Sequence, residues 1–217
     1  GVAGKETTMT TTVHRKGNDI YRSTLLTGDD VFLFNEGNNY RLYEKLGAHP
    51  VEVDGKAGTY FAVWAPNAEY VSVIGGFNGW NRGSHPMNPE GASGIWELFV
   101  PDVGQGSTYK FFIRSQHNNY QVEKSDPFGF HHETPPRTGS IVWDIEGYAW
   151  GDDDWMTNRA ASNAADAPIS IYEMHVGSWM RVPEDGNRSL SYRELAPRLA
   201  DHMHHMGFTH VELLPIM

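Results

Sequence analysis

The sequence lacks cysteine, has few basic residues and contains no long apolar run. Without cysteine it has neither a disulfide framework nor a thiolate nucleophile, and a reducing compartment is the simpler expectation. The formal net charge of −10 disfavours nucleic acid and anionic membranes as partners, because both attract a basic face. No apolar run approaches the ~20 residues of a transmembrane helix, and the amino end is polar rather than signal-like. We therefore expect a cytoplasmic protein.

What is present suffices for one well-buried core and a fragment of a second, since 39% of the 217 residues are hydrophobic and 20% are charged. Residues 1–18 contain a threonine-rich run and almost no apolar side chains, so we expect a disordered polar tail. Residues 19–41 are interpreted as a linker or the remnant of an upstream domain. Residues 146–167, first acidic and then alanine-rich, are interpreted as a second linker.

Short strand-like runs recur between residues 42 and 145, separated by turns rich in Gly, Asn and Pro. The runs cover residues 59–64, 70–74, 95–100, 109–113, 120–123 and 140–143. This pattern predicts an antiparallel β-sandwich. Alternation in the first two runs, interrupted at Pro66 and Asn67, predicts two adjoining, paired strands.

The pattern changes at residue 168, where two apolar strands flank a helical stretch. Ser191 and Glu194 have capping-box spacing at the start of that stretch, and Gly207 is placed to end it. Pro197 would remove one hydrogen bond, so we expect a kink or a short break there. Strand, helix and strand together predict one β-α-β unit in residues 168–217. With so few strands its edges would stay open, which favours self-association.

Several sequence motifs resemble those of glycogen branching enzymes and occur in the same order along the chain. They are LYEKLGAHP, FAVWAPNAEYVSVIGGFNGW, GIWELFVP, YKFFI, KSDPF, PISIYEMHVGSW and SYRELAPRLA followed by MGFTHVELLPIM. The resemblance implies a mostly β fold: an immunoglobulin-like β-sandwich, the starch-binding module of family 48, followed by the first β-α-β unit of an incomplete (β/α)8 barrel. It implies that residues 19–41 lead out of a further amino-terminal domain.

The same resemblance implies a function. Branching enzymes cleave an α-1,4 linkage in a glucan and transfer the chain to a 6-hydroxyl, without a dissociable cofactor. Their catalytic carboxylates lie in motifs resembling DVVxNH and GFRxDA, and these motifs do not occur here. No catalytic residue is therefore assigned, and the 217 residues alone are expected to be inactive. Two alternatives are a stand-alone glucan-binding module and a related debranching or trehalose-releasing enzyme. The words GSW and SYREL disfavour the second alternative.

Three residues are candidates for binding glucan. Known modules of this class resemble the present chain at Trp80 of FNGW and Lys110 of YKFFI, and Tyr120 could match an aromatic residue of the following loop. An aromatic ring can stack on glucose while an ammonium group donates to its hydroxyls. A competing interpretation is that Trp80 plugs one end of the sandwich or packs on the barrel.

The carboxyl-terminal residues offer weaker candidates. His175 should lie near the carboxyl end of the first barrel-like strand, which is the active-site face of such barrels. Glu173 and Glu212 are interpreted as polar strand positions, because a pair of carboxylates alone specifies no catalytic geometry. No zinc site is assigned to the histidines at 202, 204 and 205, since no further ligand motif accompanies them.

Overall fold

The structure is a computed structural model that describes residues 12–16 and 19–216. Most of the polar tail expected at residues 1–18 therefore lies outside the described residues. The chain divides into two compact units, Gly1–Tyr148 and Ala149–Met217. In the described part of the chain, no helix has the length and apolar character needed to cross a membrane.

The first unit consists mainly of short strands. They are β1 His14–Arg15, β2 Ser23–Thr24, β3 Gly47–Val53, β4 Lys56–Trp64, β5 Ala68–Gly75, β6 Asn88–Pro89, β7 Ile95–Pro101, β8 Thr108–Ser115, β9 Gln121–Lys124, β10 His131–His132 and β11 Ser140–Ile141. The unit also contains helix α1 (Gly28–Asn35) and 3-10 turns at Ile20–Arg22, Leu42–Glu44 and Gly76–Asn78.

Two antiparallel sheets form the sandwich. The first has the strand order β3-β4-β7-β6, and the second has the order β10-β11-β8-β5 with β9 also paired to β8. Alternate side chains of both sheets meet in a common core, where Phe61 and Tyr109 pack edge to face with ring centroids 5.0 Å apart. The mostly β, sandwich-like fold expected from the sequence is confirmed.

A second apolar cluster lies on the other face of the first sheet. Tyr60, Ala62 and Ile95 are buried there beneath Leu25 and other residues of the amino-terminal segment. Residues 19–41, which the sequence suggested as a linker or a remnant, thus contribute to the core of this unit. Since both faces of β4 are covered, its alternating side chains are all buried between residues 58 and 63.

The interpretation of residues 59–64 and 70–74 as paired strands is wrong. β4 pairs with β3 and β7, whereas β5 pairs with β8 in the opposite sheet. Alternation of apolar residues shows that a segment is a strand but does not identify its partner. The sequence analysis also missed β3, which contains Pro50 and lies at the edge of its sheet, where a missing N–H is tolerated.

The second unit contains a parallel β-α-β arrangement. Its elements are α2 Asp153–Ser162, β12 Ile171–Met174, α3 Val176–Trp179, β13 Arg181–Val182, β14 Arg188–Ser189, α4 Tyr192–Met206 and β15 His210–Leu213. β12 and β15 pair in parallel and α4 lies between them in the chain. Helix α2 falls within the stretch interpreted as a linker and buries none of its side chains.

Helix α4 begins and ends where the sequence predicted. The Ser191 hydroxyl accepts from the Glu194 N–H, the Glu194 carboxylate accepts from the Ser191 N–H at 2.8 Å, and Gly207 ends the helix at φ 74°. Of the kink or short break expected at Pro197, the break is absent, since α4 runs through that residue. Pro197 removes only one hydrogen bond near the helix start, while the cap and the burial of Leu195 stabilise the same two turns.

Candidate functional site

Trp80 lies in a tight loop directly after β5. Asn78 fixes this loop, because its side chain accepts from the Gly75 N–H at 3.0 Å and donates to the Val73 carbonyl at 3.1 Å. Gly79 and Trp80 follow in the left-handed region at φ 61° and 60°, and the Trp80 N–H donates to the Gly75 carbonyl at 2.9 Å. A non-glycine residue in that region costs about 1–3 kcal/mol unless its surroundings hold it there.

The loop therefore holds the backbone of Trp80 firmly while its side chain remains accessible. Trp80 is 42% exposed, and the aromatic residue of this loop that packs on the sandwich core is Phe77. The Phe77 ring lies 6.3 Å from that of Phe61 and is nearly parallel to it. Phe77 thus fills the plug position that the sequence analysis considered for Trp80.

Lys110 lies at the same end of the second sheet as Trp80. It occupies β8 directly opposite Ile74, one residue from the Gly75 position to which the Trp80 loop is bonded. Its ammonium group donates to the hydroxyl of Thr138 at 2.7 Å and is exposed to solvent. An aromatic ring and an oriented cationic donor thus border the same sheet end.

Tyr120 lies at the other end of β8. Its carbonyl accepts from the N–H of Ser115, the last residue of that strand. Five residues separate Lys110 from Ser115, which is about 16 Å at ~3.3 Å per residue. The structure therefore places Trp80 and Lys110 at the same end of the second sheet and Tyr120 at the other end. Tyr120 lies in the loop after β8, as the sequence suggested, and its role in binding stays a prediction.

A layer of charged side chains covers the outer face of the second sheet between these two ends. The Arg82 guanidinium lies 4.7 Å above the Phe112 ring and pairs with Glu123 at 2.7 Å. Arg114 lies over the Tyr70 ring and pairs with Glu69. Because these side chains bond to one another across the strands, they separate Tyr120 from the Trp80 end.

A buried polar network, not foreseen from the sequence, anchors the loop that approaches Lys110. Asp126 is buried and accepts from the Tyr109 hydroxyl at 2.6 Å and from the Phe128 N–H at 2.8 Å. Its own N–H donates to the Ser140 hydroxyl at 2.8 Å. Burial raises the pKa of Asp126 to about 6, although the Tyr109 hydrogen bond acts in the opposite direction. The carboxyl group of Asp126, in the motif KSDPF, thus has a structural role.

His175 directly follows β12, at the carboxyl end of that strand. Its ring nitrogen Nδ1 lies 3.1 Å from the hydroxyl of Ser178 in α3. Glu173 and Glu212 stand opposite each other on β12 and β15. His202 packs against the rings of Tyr172 and Trp179 rather than standing alone on the helix surface.

Comparison with known proteins identifies what this arrangement resembles. Residues 45–129 match the family model "Carbohydrate-binding module 48 (Isoamylase N-terminal domain)". The 1,4-alpha-glucan branching enzyme GlgB of Aquifex aeolicus is 55% identical over 195 residues, 89% of this chain and 30% of that enzyme. The enzyme of the same name from Gloeobacter violaceus is 52% identical over 198 residues, 91% of this chain and 27% of that enzyme. The resemblance to branching enzymes is confirmed.

The match extends over most of this chain but little of its relatives. The chain spans about 30% of the length of the Aquifex enzyme and 27% of the Gloeobacter enzyme. Among solved structures, ligand-free PulA from Klebsiella pneumoniae superposes with a TM-score of 0.58 at 23% identity, over 80% of this chain and 18% of that chain. The Klebsiella pneumoniae pullulanase complexed with maltotriose gives 0.58 at 22% identity, with the same coverage. These two likenesses show the fold alone.

Proposed function

We propose that the 217 residues are a non-catalytic part of a 1,4-α-glucan branching enzyme, with a glucan-binding sandwich followed by the start of the catalytic barrel. The observation that carries the proposal is the 55% identity to such an enzyme over 89% of the chain. Since the chain spans less than a third of that relative, the proposal assigns the branching activity to residues beyond these 217.

In this proposal the sandwich holds an α-1,4-glucan at the Trp80 end of the second sheet. The exposed Trp80 ring supports stacking on the apolar face of a glucosyl unit, and Lys110 supplies donors for its hydroxyls. A neutral polysaccharide also suits a chain whose net charge is −10, because no charge opposes its approach.

The second unit supplies the first two strands of a (β/α)8 barrel in this proposal. Parallel pairing of β12 and β15 through α4 supports it, since that is the repeating unit of such a barrel. Transfer with retention needs two carboxylates about 5 Å apart, one as nucleophile and one as acid and base. The proposal draws both from strands beyond β15. His175, at the carboxyl end of β12, then lies on the active-site face.

A chimera tests the proposed activity. Residues 1–217 are joined to the part of the Aquifex enzyme that follows its matched region, and loss of iodine staining of amylose is measured. We expect activity from the chimera and none from the 217 residues alone, because the carboxylate pair comes only with the added part. The intact Aquifex enzyme is the control. If that enzyme is active while a folded chimera is not, the chain is no part of a branching enzyme and a stand-alone module is favoured.

Glycogen affinity electrophoresis tests the binding surface. Glycogen in the gel should retard the wild-type chain, and Trp80→Ala should reduce the retardation because the loop offers no other exposed large ring. Lys110→Ala should weaken it. Trp155→Ala removes a similarly exposed tryptophan from α2 in the other unit and serves as the matched control. Equal mobility of the wild-type and Trp80→Ala chains in glycogen would contradict the assignment.

A further inference from the structure

A groove of about 620 Å³ lies on the first unit, away from Trp80 and Lys110. Its walls come from the turn Leu42–Glu44, the start of β3, the residue before β10 and the segment that follows β11. Its volume falls within the ~300–1,000 Å³ that small-molecule sites occupy. Five rings line it, those of His14, Tyr43, His49, Phe130 and Trp143.

The aromatic walls are braced but not covered. Trp143 leans on the His131 ring at 4.7 Å and remains 39% exposed, while Tyr43 is 46% exposed. Phe130 packs edge to face against His49 at 5.9 Å, and His49 Nε2 lies 2.9 Å from the Leu46 carbonyl. Rings fixed in this way present accessible faces at low entropic cost, which suits stacking on a sugar.

The charges around the groove favour a neutral ligand. Arg41 donates from Nε to Glu44 at 2.9 Å, and Lys45 pairs with Asp30 at 3.2 Å. Partial burial lowers the pKa of His49, so its ring is uncharged near neutral pH. With Asp144 and Glu146 also in the walls, an anionic ligand would meet carboxylates, while the Arg41 and Lys45 cations are already paired.

We propose that this groove is a second α-1,4-glucan subsite of the sandwich, with Tyr43 and Trp143 as its stacking surfaces. The proposal rests on the proposed glucan-binding function and adds a second binding site to the sandwich. Trp143 follows β11, whereas Trp80 follows β5, and β8 lies between those strands. The groove contains no residue of the Trp80 loop, so the two subsites can be perturbed independently.

NMR of the isotopically labelled 217-residue chain with maltoheptaose tests the subsite. The indole N–H signals of the seven tryptophans report each ring separately. We expect the signals of Trp80 and Trp143 to shift at millimolar maltoheptaose and that of Trp155, on α2, to remain unchanged. In Trp80→Ala the Trp143 signal should still shift, because the groove contains no part of the Trp80 loop.

Two variants of the groove complete the experiment. Trp143→Ala should leave the Trp80 shift intact, and Tyr43→Ala should weaken the Trp143 response about tenfold or more in apparent Kd. Amide spectra of each variant show whether it is folded, and Tyr43→Ala keeps the test open if Trp143→Ala does not fold. Shifts at Trp80 with none at Trp143 would overturn the second subsite alone. No shift at any tryptophan would overturn glucan binding by the sandwich, and with it the subsite.

Discussion

Replacing Asp126 by Asn should change how the stability of the sandwich depends on pH. The carboxyl group is 2% exposed and lies between the Tyr109 hydroxyl and the Phe128 N–H. Burial disfavours its charged form and raises its pKa from 3.8 to about 6. An Asn side chain retains an acceptor for the Phe128 N–H and can donate to Tyr109, but it does not titrate.

The direction of the effect follows from proton linkage. Between pH 3.8 and about 6 the folded protein binds the Asp126 proton while the unfolded chain has released it. The free energy of unfolding therefore falls as the pH rises through this window, and it stays lower above it. The difference between 3.8 and about 6 corresponds to about 3 kcal/mol at ~1.4 kcal/mol per pKa unit.

Urea unfolding at pH 4 and pH 7 measures this effect. Relative to the wild type, Asp126→Asn should gain about 2.4 kcal/mol in free energy of unfolding on going from pH 4 to pH 7, less than the full difference because the unfolded carboxyl group is partly protonated at pH 4. Asp102→Asn makes the same charge change at an exposed position and should show no comparable gain. If wild type and Asp126→Asn change in parallel between the two pH values, the folded protein does not hold Asp126 protonated.

Three further predictions concern the amino-terminal segment, the cap of α4 and the two-stranded sheet of the second unit. Leu25→Ala should lower the free energy of unfolding in urea by about 2–5 kcal/mol, and Leu33→Ala, at an exposed position, by less than ~0.5 kcal/mol. Equal losses would show that the amino-terminal segment does not contribute to the core of the sandwich. Ser191→Ala should cost about 1 kcal/mol and speed amide exchange in α4 about fivefold; unchanged exchange would show that the cap contributes nothing. The amides of Ile171 and Leu213 should exchange fast in a monomer, since the described strands of that sheet are only two; slow exchange there would contradict this.

The sequence predicted individual strands better than it predicted their arrangement. Alternation is a local property, so β4 and β5 were found, but the turn at Pro66 that carries the chain from one sheet to the other has no periodic signal. In residues 19–41 the sequence shows only a short apolar run, residues 31–34, flanked by turn residues. The contribution of residues 19–41 depends on long-range packing of Leu25 and Leu26 against Tyr60.

The candidate site shows the same division between local and long-range information. The word FNGW predicted a turn with a ring beside it, because Asn and Gly favour that backbone, and Trp80 is where the word placed it. That Lys110 reaches the same sheet end depends on the register of β5 with β8, as does the exclusion of Tyr120. The role of Asp126 depends on its burial beneath β8, and a short sequence motif does not reveal that burial.

The burial of the first sheet explains why both proposed subsites avoid its outer face. Glu97 points to that face and is buried, with its carboxylate accepting from Tyr60 at 2.7 Å, from Thr24 at 2.5 Å and from Lys16 at 2.8 Å. A buried carboxylate is stable only with such partners, so the amino-terminal segment that supplies two of them cannot leave without a large cost. We therefore expect that a glucan does not displace this segment, and both proposed subsites lie elsewhere, at the Trp80 end of the second sheet and in the groove beside β3.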